Sequence, residues 1–156
     1  MKLDEIFDPA DALDDVEARS KRQVLRKIAA ILADNHNLDE KTVFDILHER
    51  ERLGSTAVGG GAAIPHAKVP GLNTLVGCVA RLAEPVDFDA HDDRPVDLVV
   101  ALLAPDTGGA EHLRVLARLS RALRDPEQRD ALRACADKSA LRDTLAAQPP
   151  QRATAA

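Results

Sequence analysis

The run Val96-Asp97-Leu98-Val99-Val100-Ala101-Leu102-Leu103, bounded by Pro95 and Pro105, constrains the fold more than any other segment. A nearly continuous apolar stretch of this kind suits a central strand covered on both faces. The rest of the chain supplies the covers. Ser20-Lys21-Arg22-Gln23 reads as a capping box, with Ser20 as N-cap and Gln23 reaching back to its amide. Val24, Leu25, Ile28, Ile31 and Leu32 then recur at helical spacing, which predicts a helix from about Lys21 to Ala33 closed by Asn35-His36-Asn37. Asp39 caps a second helix carrying Val43, Ile46, Leu47 and Arg50 on successive turns, with Gly54 as its stop.

Beyond Gly54, Ser55 to His66 is small, glycine-rich and uncharged, and reads as a loop running into a short strand. Leu75 to Leu82 predicts another strand. After the apolar run, Leu113, Leu116, Leu119, Ser120 and Leu123 share one face of a helix that opens between Thr107 and Glu111. Asp125-Pro126 starts a further helix, with proline at its first position, and Lys138 to Ala147 forms a last short one. Helices, then strands, then helices define the α/β class, with helices on both faces of the sheet.

The chain has 156 residues, 45% of them hydrophobic and 30% charged, which suits one compact domain, expected over residues 1–147. The tail 148–156 has no apolar pattern to bury and is expected to be disordered. The formal charge is −5, from 21 basic and 26 acidic residues. Nucleic acid is an unsuitable main partner, because the basic residues are spread along the chain and there is no Tyr or Trp to stack on bases. The two cysteines, Cys78 and Cys135, fit buried residues of a reducing compartment. Asp4 and Glu5 stand where a signal peptide would begin its apolar region. Between Arg52 and Lys68 no charged side chain occurs, yet four glycines and a proline exclude a membrane helix. A cytoplasmic protein is the expectation.

Five histidines remain to be weighed. His36 falls in a polar turn, His48 near a helix end, and His91 in the acidic turn Asp89-Ala90-His91-Asp92-Asp93, without a second cluster at ligand spacing. His66 differs. It follows Ile64-Pro65, whose ring stiffens its approach. Gly59 to Gly61 permit close backbone approach to a ligand, and Ser55 and Thr56 offer hydroxyl donors. A neutral imidazole is a competent nucleophile near pH 7 and needs no separate base. Arg50 and Arg52 end the preceding helix, and a guanidinium grips two phosphate oxygens at once. These features suit phosphoryl transfer, which depends on positioning and charge cancellation. No Gly-x-x-x-x-Gly-Lys-Ser/Thr or Gly-x-Gly-x-x-Gly motif is present, so a nucleotide site is disfavoured and no cofactor or metal is expected. His112, in a helix first turn after the central strand, could approach His66 and donate to a phosphoryl oxygen.

Arg50-Glu51-Arg52-Leu53-Gly54-Ser55-Thr56 followed by Gly61-Ala62-Ala63-Ile64-Pro65-His66-Ala67-Lys68 resembles enzyme IIA of the bacterial phosphotransferase system, fructose–mannitol class, and within it the nitrogen-regulatory branch. Phe88-Asp89-Ala90, Pro95 to Pro105 and His112-Leu113 extend the resemblance from about Leu3 to Leu145. The resemblance implies a mixed β-sheet of about five strands flanked by helices. It also implies a phosphocarrier in which His66 is the phosphoacceptor, His112 the second active-site histidine and Arg50 the anion-facing arginine, with Ser55 and Thr56 accessory. The implied donor is an HPr-like phosphohistidine protein of the nitrogen branch. The implied targets are partners such as potassium transporters or sensor kinases, controlled by phosphorylation state. The family motif has Gly where this chain has Ala57 and Ala67, and Ile where it has Ala62; the two alanines for Gly restrict backbone freedom beside the site. With no sugar-carrying IIB or IIC segment in these 156 residues, the expectation is regulation rather than uptake.

Three other readings stand beside this one. They are a sugar-specific IIA serving separate IIB and IIC chains, a pure interaction module with His66 inert, and a metal-dependent hydrolase built on His66, His91 and His112.

Overall fold

The computed structural model describes residues 2–107 and 109–147; the tail expected to be disordered, 148–156, lies outside them. The chain opens with Leu3–Ile6 (α1), a 3-10 turn at Pro9–Asp11, Leu13–Val16 (β1), Lys21–His36 (α2) and Glu40–Leu53 (α3). The strands Ala57–Gly59 (β2), Ala62–Ala63 (β3), His66–Val69 (β4), Val76–Val86 (β5) and Val96–Pro105 (β6) follow. Ala110–Arg124 (α4), Pro126–Arg133 (α5) and Lys138–Ala146 (α6) complete the described fold.

The strands form one mixed sheet of six, in the order β1-β5-β6-β3-β2, with β4 also on β6. The apolar run is its centre, as its sequence requires. β6 pairs antiparallel with β5 on one side and parallel with β3 and β4 on the other. Its side chains alternate between two cores. Val99, Ala101 and Leu103 pack under α2 and α3, whereas Leu98, Val100 and Leu102 face α1, α4, α5 and α6.

The helix signals act largely as read. Ser20 Oγ accepts the Gln23 amide at 3.1 Å, while Gln23 reaches back to the Arg19 amide, one residue beyond the expected one. α2 continues to His36 and ends at Asn37 in the left-handed region, φ 55°. Asp39 caps α3 through the Thr42 amide, and Asp125 caps α5 through that of Glu127. Two helical faces differ from the periodicity. In α3 the buried positions are Val43, Phe44, Leu47 and Glu51, not Arg50. In α4 they are His112, Val115, Leu119 and Leu123, leaving Leu113 66% exposed.

The glycine-rich segment is a hairpin rather than a loop. β2 and β3 pair antiparallel around Gly59, Gly60 and Gly61, which take φ of 92°, 66° and 82°. That turn is held by the Gly60 amide on Asp92 and by Arg133, which donates to the Gly60 carbonyl and to Asp97. It therefore lies beside the start of β6. β3 and β4 run along the same side of β6 and are separated by Ile64-Pro65. Proline has no N–H for the ladder, so pairing breaks there, although the Pro65 carbonyl still accepts the Leu102 amide at 2.9 Å.

Candidate functional site

His66 opens β4 opposite Leu102, in the carboxyl-terminal half of β6. Strand alternation sends its neighbour Ala67 into the α2–α3 core, while Ile64 packs with the α4 side. His112 reaches the same place from the first turn of α4. The two rings meet edge to face, with centroids 6.1 Å apart. The ladder break gives the ring its orientation. His66 Nδ1 lies 2.7 Å from the Ile64 carbonyl, which has no donor, so Nδ1 carries the proton and donates. Nε2 is left with its lone pair.

The electrostatics keep both rings neutral at pH 7. Burial is the largest effect on His66 and lowers its pKa below the ordinary value. The Ile64 carbonyl acts in the opposite sense, Arg50 lowers it further, and Glu51 opposes Arg50. His112 is also lowered, by burial first, then by His66 and Lys68. Its Nε2 is buried with no hydrogen-bond partner among the described residues. The residue itself is only 6% exposed. Arg50 closes the carboxyl end of its own helix, Nη1 donating to the Gly54 carbonyl at 2.8 Å.

Two expected contributors face elsewhere. The Ser55 hydroxyl donates to the Phe88 carbonyl at 2.5 Å, and the Thr56 hydroxyl to Glu51 at 2.5 Å. Both protons are spent within the protein, so these residues build the approach to His66 rather than offering donors to a ligand. The glycines 59–61, expected beside the ligand, sit at the hairpin tip next to Asp92 and Asp97, at the other end of β6 from Leu102. Ala57 and Ala67 occupy paired strand positions and neither has positive φ, so glycine's freedom is not needed at either.

The remaining histidines have structural partners or solvent. His36 bonds the buried Asp11 at 2.7 Å, His48 stacks on Phe44 with centroids 5.3 Å apart, and His91 is exposed. Among the described residues no three His, Cys, Asp or Glu side chains are grouped to hold a metal ion, and no helix is long and apolar enough to cross a membrane.

Sequence reasoning passed over Glu51, which is 4% exposed and acts on His66. The signal was its i+4 spacing from Leu47, which puts a carboxylate on the apolar face of α3. It also passed over Lys68, two residues along β4 on the strand face shared with His66.

Residues 5–148 match the family described as phosphoenolpyruvate-dependent sugar phosphotransferase system, EIIA 2. A protein of Bradyrhizobium diazoefficiens named nitrogen regulatory protein is 45% identical over 149 residues, 96% of this chain and 97% of that one. One of the same name from Pseudomonas aeruginosa is 39% identical, covering 90% of this chain and 92% of its own length. The crystal structure of nitrogen regulatory protein IIA-Ntr from Neisseria meningitidis superimposes with a TM-score of 0.84 at 35% identity, over 90% of this chain and 97% of that one. IIA mannitol from Escherichia coli shares the fold at 21% identity and a TM-score of 0.74, over 89% of this chain and 98% of its own. The chain therefore belongs to the EIIA 2 family of the phosphotransferase system, whose members are phosphotransfer components.

Proposed function

We propose that this chain is a phosphocarrier of the nitrogen-regulatory type, in which His66 Nε2 takes a phosphoryl group from the phosphohistidine of an HPr-like protein. The observation that carries this reading is the Nδ1 bond to the Ile64 carbonyl, which leaves Nε2 as the nucleophile in a neutral ring. The donor's P–N bond breaks and its nitrogen keeps the electron pair, while a P–N bond forms at His66 Nε2. No proton leaves His66, because Nε2 carried none, so no general base is required. The acceptor ring becomes cationic and the donor ring is relieved of its charge.

Three groups serve the anion. The unpartnered Nε2 of His112 meets a phosphoryl oxygen as a donor once that ring carries its proton there. The first amides of α4 supply a positive helix end, and Arg50 supplies a guanidinium. The nitrogen-regulatory assignment is supported by the names and identities of the relatives above. Regulation follows from charge. The phosphoryl oxygens add about −1.5 to −2 to a surface that donor and target both contact, so a target binds one form better than the other.

The test is intact mass after incubation with phosphoenolpyruvate, enzyme I and its HPr-type carrier. One phosphoryl group on the wild type, absent from His66→Ala, is expected. No added mass with active donors of either the sugar or the nitrogen branch would sink the reading and leave a binding module.

A further inference from the structure

We propose that Glu51 is a positioning residue for His66: it holds Thr56, whose carbonyl accepts the Ile64 amide at 3.0 Å, and Ile64 in turn offers its carbonyl to the His66 ring, so a buried carboxylate in the last turn of α3 is tied to the ring that becomes cationic on phosphorylation. The inference rests on the phosphocarrier reading for its role, but its observations are independent of it. Glu51 is 4% exposed and sits in the carboxyl-terminal turn of α3, where the helix dipole disfavours an acid. A carboxylate kept in such a place needs compensation. It accepts the Thr56 amide at 2.9 Å, the Thr56 hydroxyl at 2.5 Å and the Lys21 ammonium at 3.2 Å. All three partners donate, as the ionised form requires.

This network joins three parts of the fold at the site. Lys21, in the first turn of α2, also pairs with Asp89 at 3.0 Å and lies 5.6 Å from the centre of the Phe88 ring. The Phe88 carbonyl takes the Ser55 hydroxyl, so residues 55 and 56 are both fastened before the chain reaches Ile64. Arg50 and Glu51 are consecutive and act on His66 with opposite sign. One suits the incoming phosphoryl anion, the other the ring that receives it. The other charged or titratable groups acting at the pair of rings are Lys68, from the strand of His66, and His112, from α4.

The experiment is an NMR titration of the His66 ring, assigned by its loss in His66→Gln, in wild type, Glu51→Gln and Lys21→Met. Removing the carboxylate is expected to lower the His66 midpoint, and removing its counter-ion to raise it. A purely structural role would move both the same way or neither, and either result overturns the proposal. Where Glu51→Gln does not fold, Lys21→Met decides alone: an upward shift supports the coupling and an unchanged midpoint overturns it. With the donor system, Glu51→Gln is expected to accept the phosphoryl group about tenfold more slowly, and an unchanged rate would remove the functional part of the proposal. Opposite shifts in the two variants, with a wild type that accepts no phosphoryl group, would leave the coupling standing and fault only the phosphocarrier reading.

Discussion

The imidazoles of His66 and His112 meet edge to face, their planes at 64° and their centroids 6.1 Å apart. The two residues come from different elements, so the contact reports how α4 docks on the sheet. The His112 Nε2 is buried and meets no hydrogen-bond partner among the described residues, which fits the contact with a phosphoryl oxygen proposed above. The variant His112→Ala is expected to keep the acceptor nitrogen yet slow phosphorylation by about 10- to 100-fold, the worth of one hydrogen bond to a charged group. Rapid-quench transfer kinetics would measure it, and an unaltered rate would exclude His112 from the chemistry.

Acid should weaken the fold through these same rings. Both folded-state pKa values lie below the ordinary 6.5, so the unfolded chain binds more protons in the window between. Stability is therefore fully present above pH 6.5 and is lost as pH falls toward the folded values. Melting temperatures recorded across pH 7.5 to 5 should fall less steeply for the double variant His66→Gln, His112→Gln than for wild type. Parallel curves would show that other groups govern this limb.

Arg81 joins the edge strand to a helix end. Its Nε and Nη2 donate to the two Asp14 carboxylate oxygens at 2.7 Å each, while Nη1 meets the carbonyls of Leu132, Arg133 and Cys135. The paired guanidinium holds the Asp14 carboxyl below its usual pKa. Replacement by Met keeps the stem but strips five bonds, with an expected loss of roughly 2–4 kcal/mol. Urea midpoints at constant slope would report it.

Gly60 provides a contrast between fold and site. Its φ is 66°, and a Cβ there would run into the Arg129 guanidinium. Gly60→Ala is expected to cost about 1–3 kcal/mol. It should leave phosphorylation at His66 intact at temperatures where the variant is folded. A transfer defect without a stability defect would put the hairpin tip back in the site.

Leu53 and Leu113 are the large apolar side chains most exposed among the described residues, at 79% and 66%. Each is a near neighbour in sequence of a site residue, Arg50 for one and His112 for the other. Replacing either by Glu should change stability by about 0.5 kcal/mol or less, as at other surface positions, while weakening association with the phosphohistidine donor. Titration calorimetry against the donor would separate the two effects.

The α/β plan could be read from the apolar run at Val96 to Leu103 and from the caps Ser20, Asp39 and Asp125, because burial on both faces and amide satisfaction leave local traces. His66 was singled out for its stiff approach through Pro65, and the structure places the Ile64 carbonyl on its ring where that proline interrupts the ladder. Other features leave none. A glycine run announces backbone freedom but not where the backbone goes, and here Asp92 and Arg133, far along the chain, decide it. Glu51 was hidden between two arginines in a segment that reads as polar. The first strand, Leu13–Val16, was missed because two of its four residues are aspartates, one of which, Asp14, is paired with Arg81 from the neighbouring strand.

The last helix is fastened to the first. Arg142 donates to the carbonyls of Phe7 and Asp4, and Leu141 and Leu145 share a core with Leu3 and Ile6. The two faces of the sheet are thereby placed on different schedules during synthesis. The α2–α3 face draws on residues up to Leu103, whereas the opposite face takes part of its cover from residues as late as Leu141 and Leu145. In chain order the strand that carries His66 and its partner β6 precede α4, so the histidine pair can form only once the helix that follows the central strand has been made.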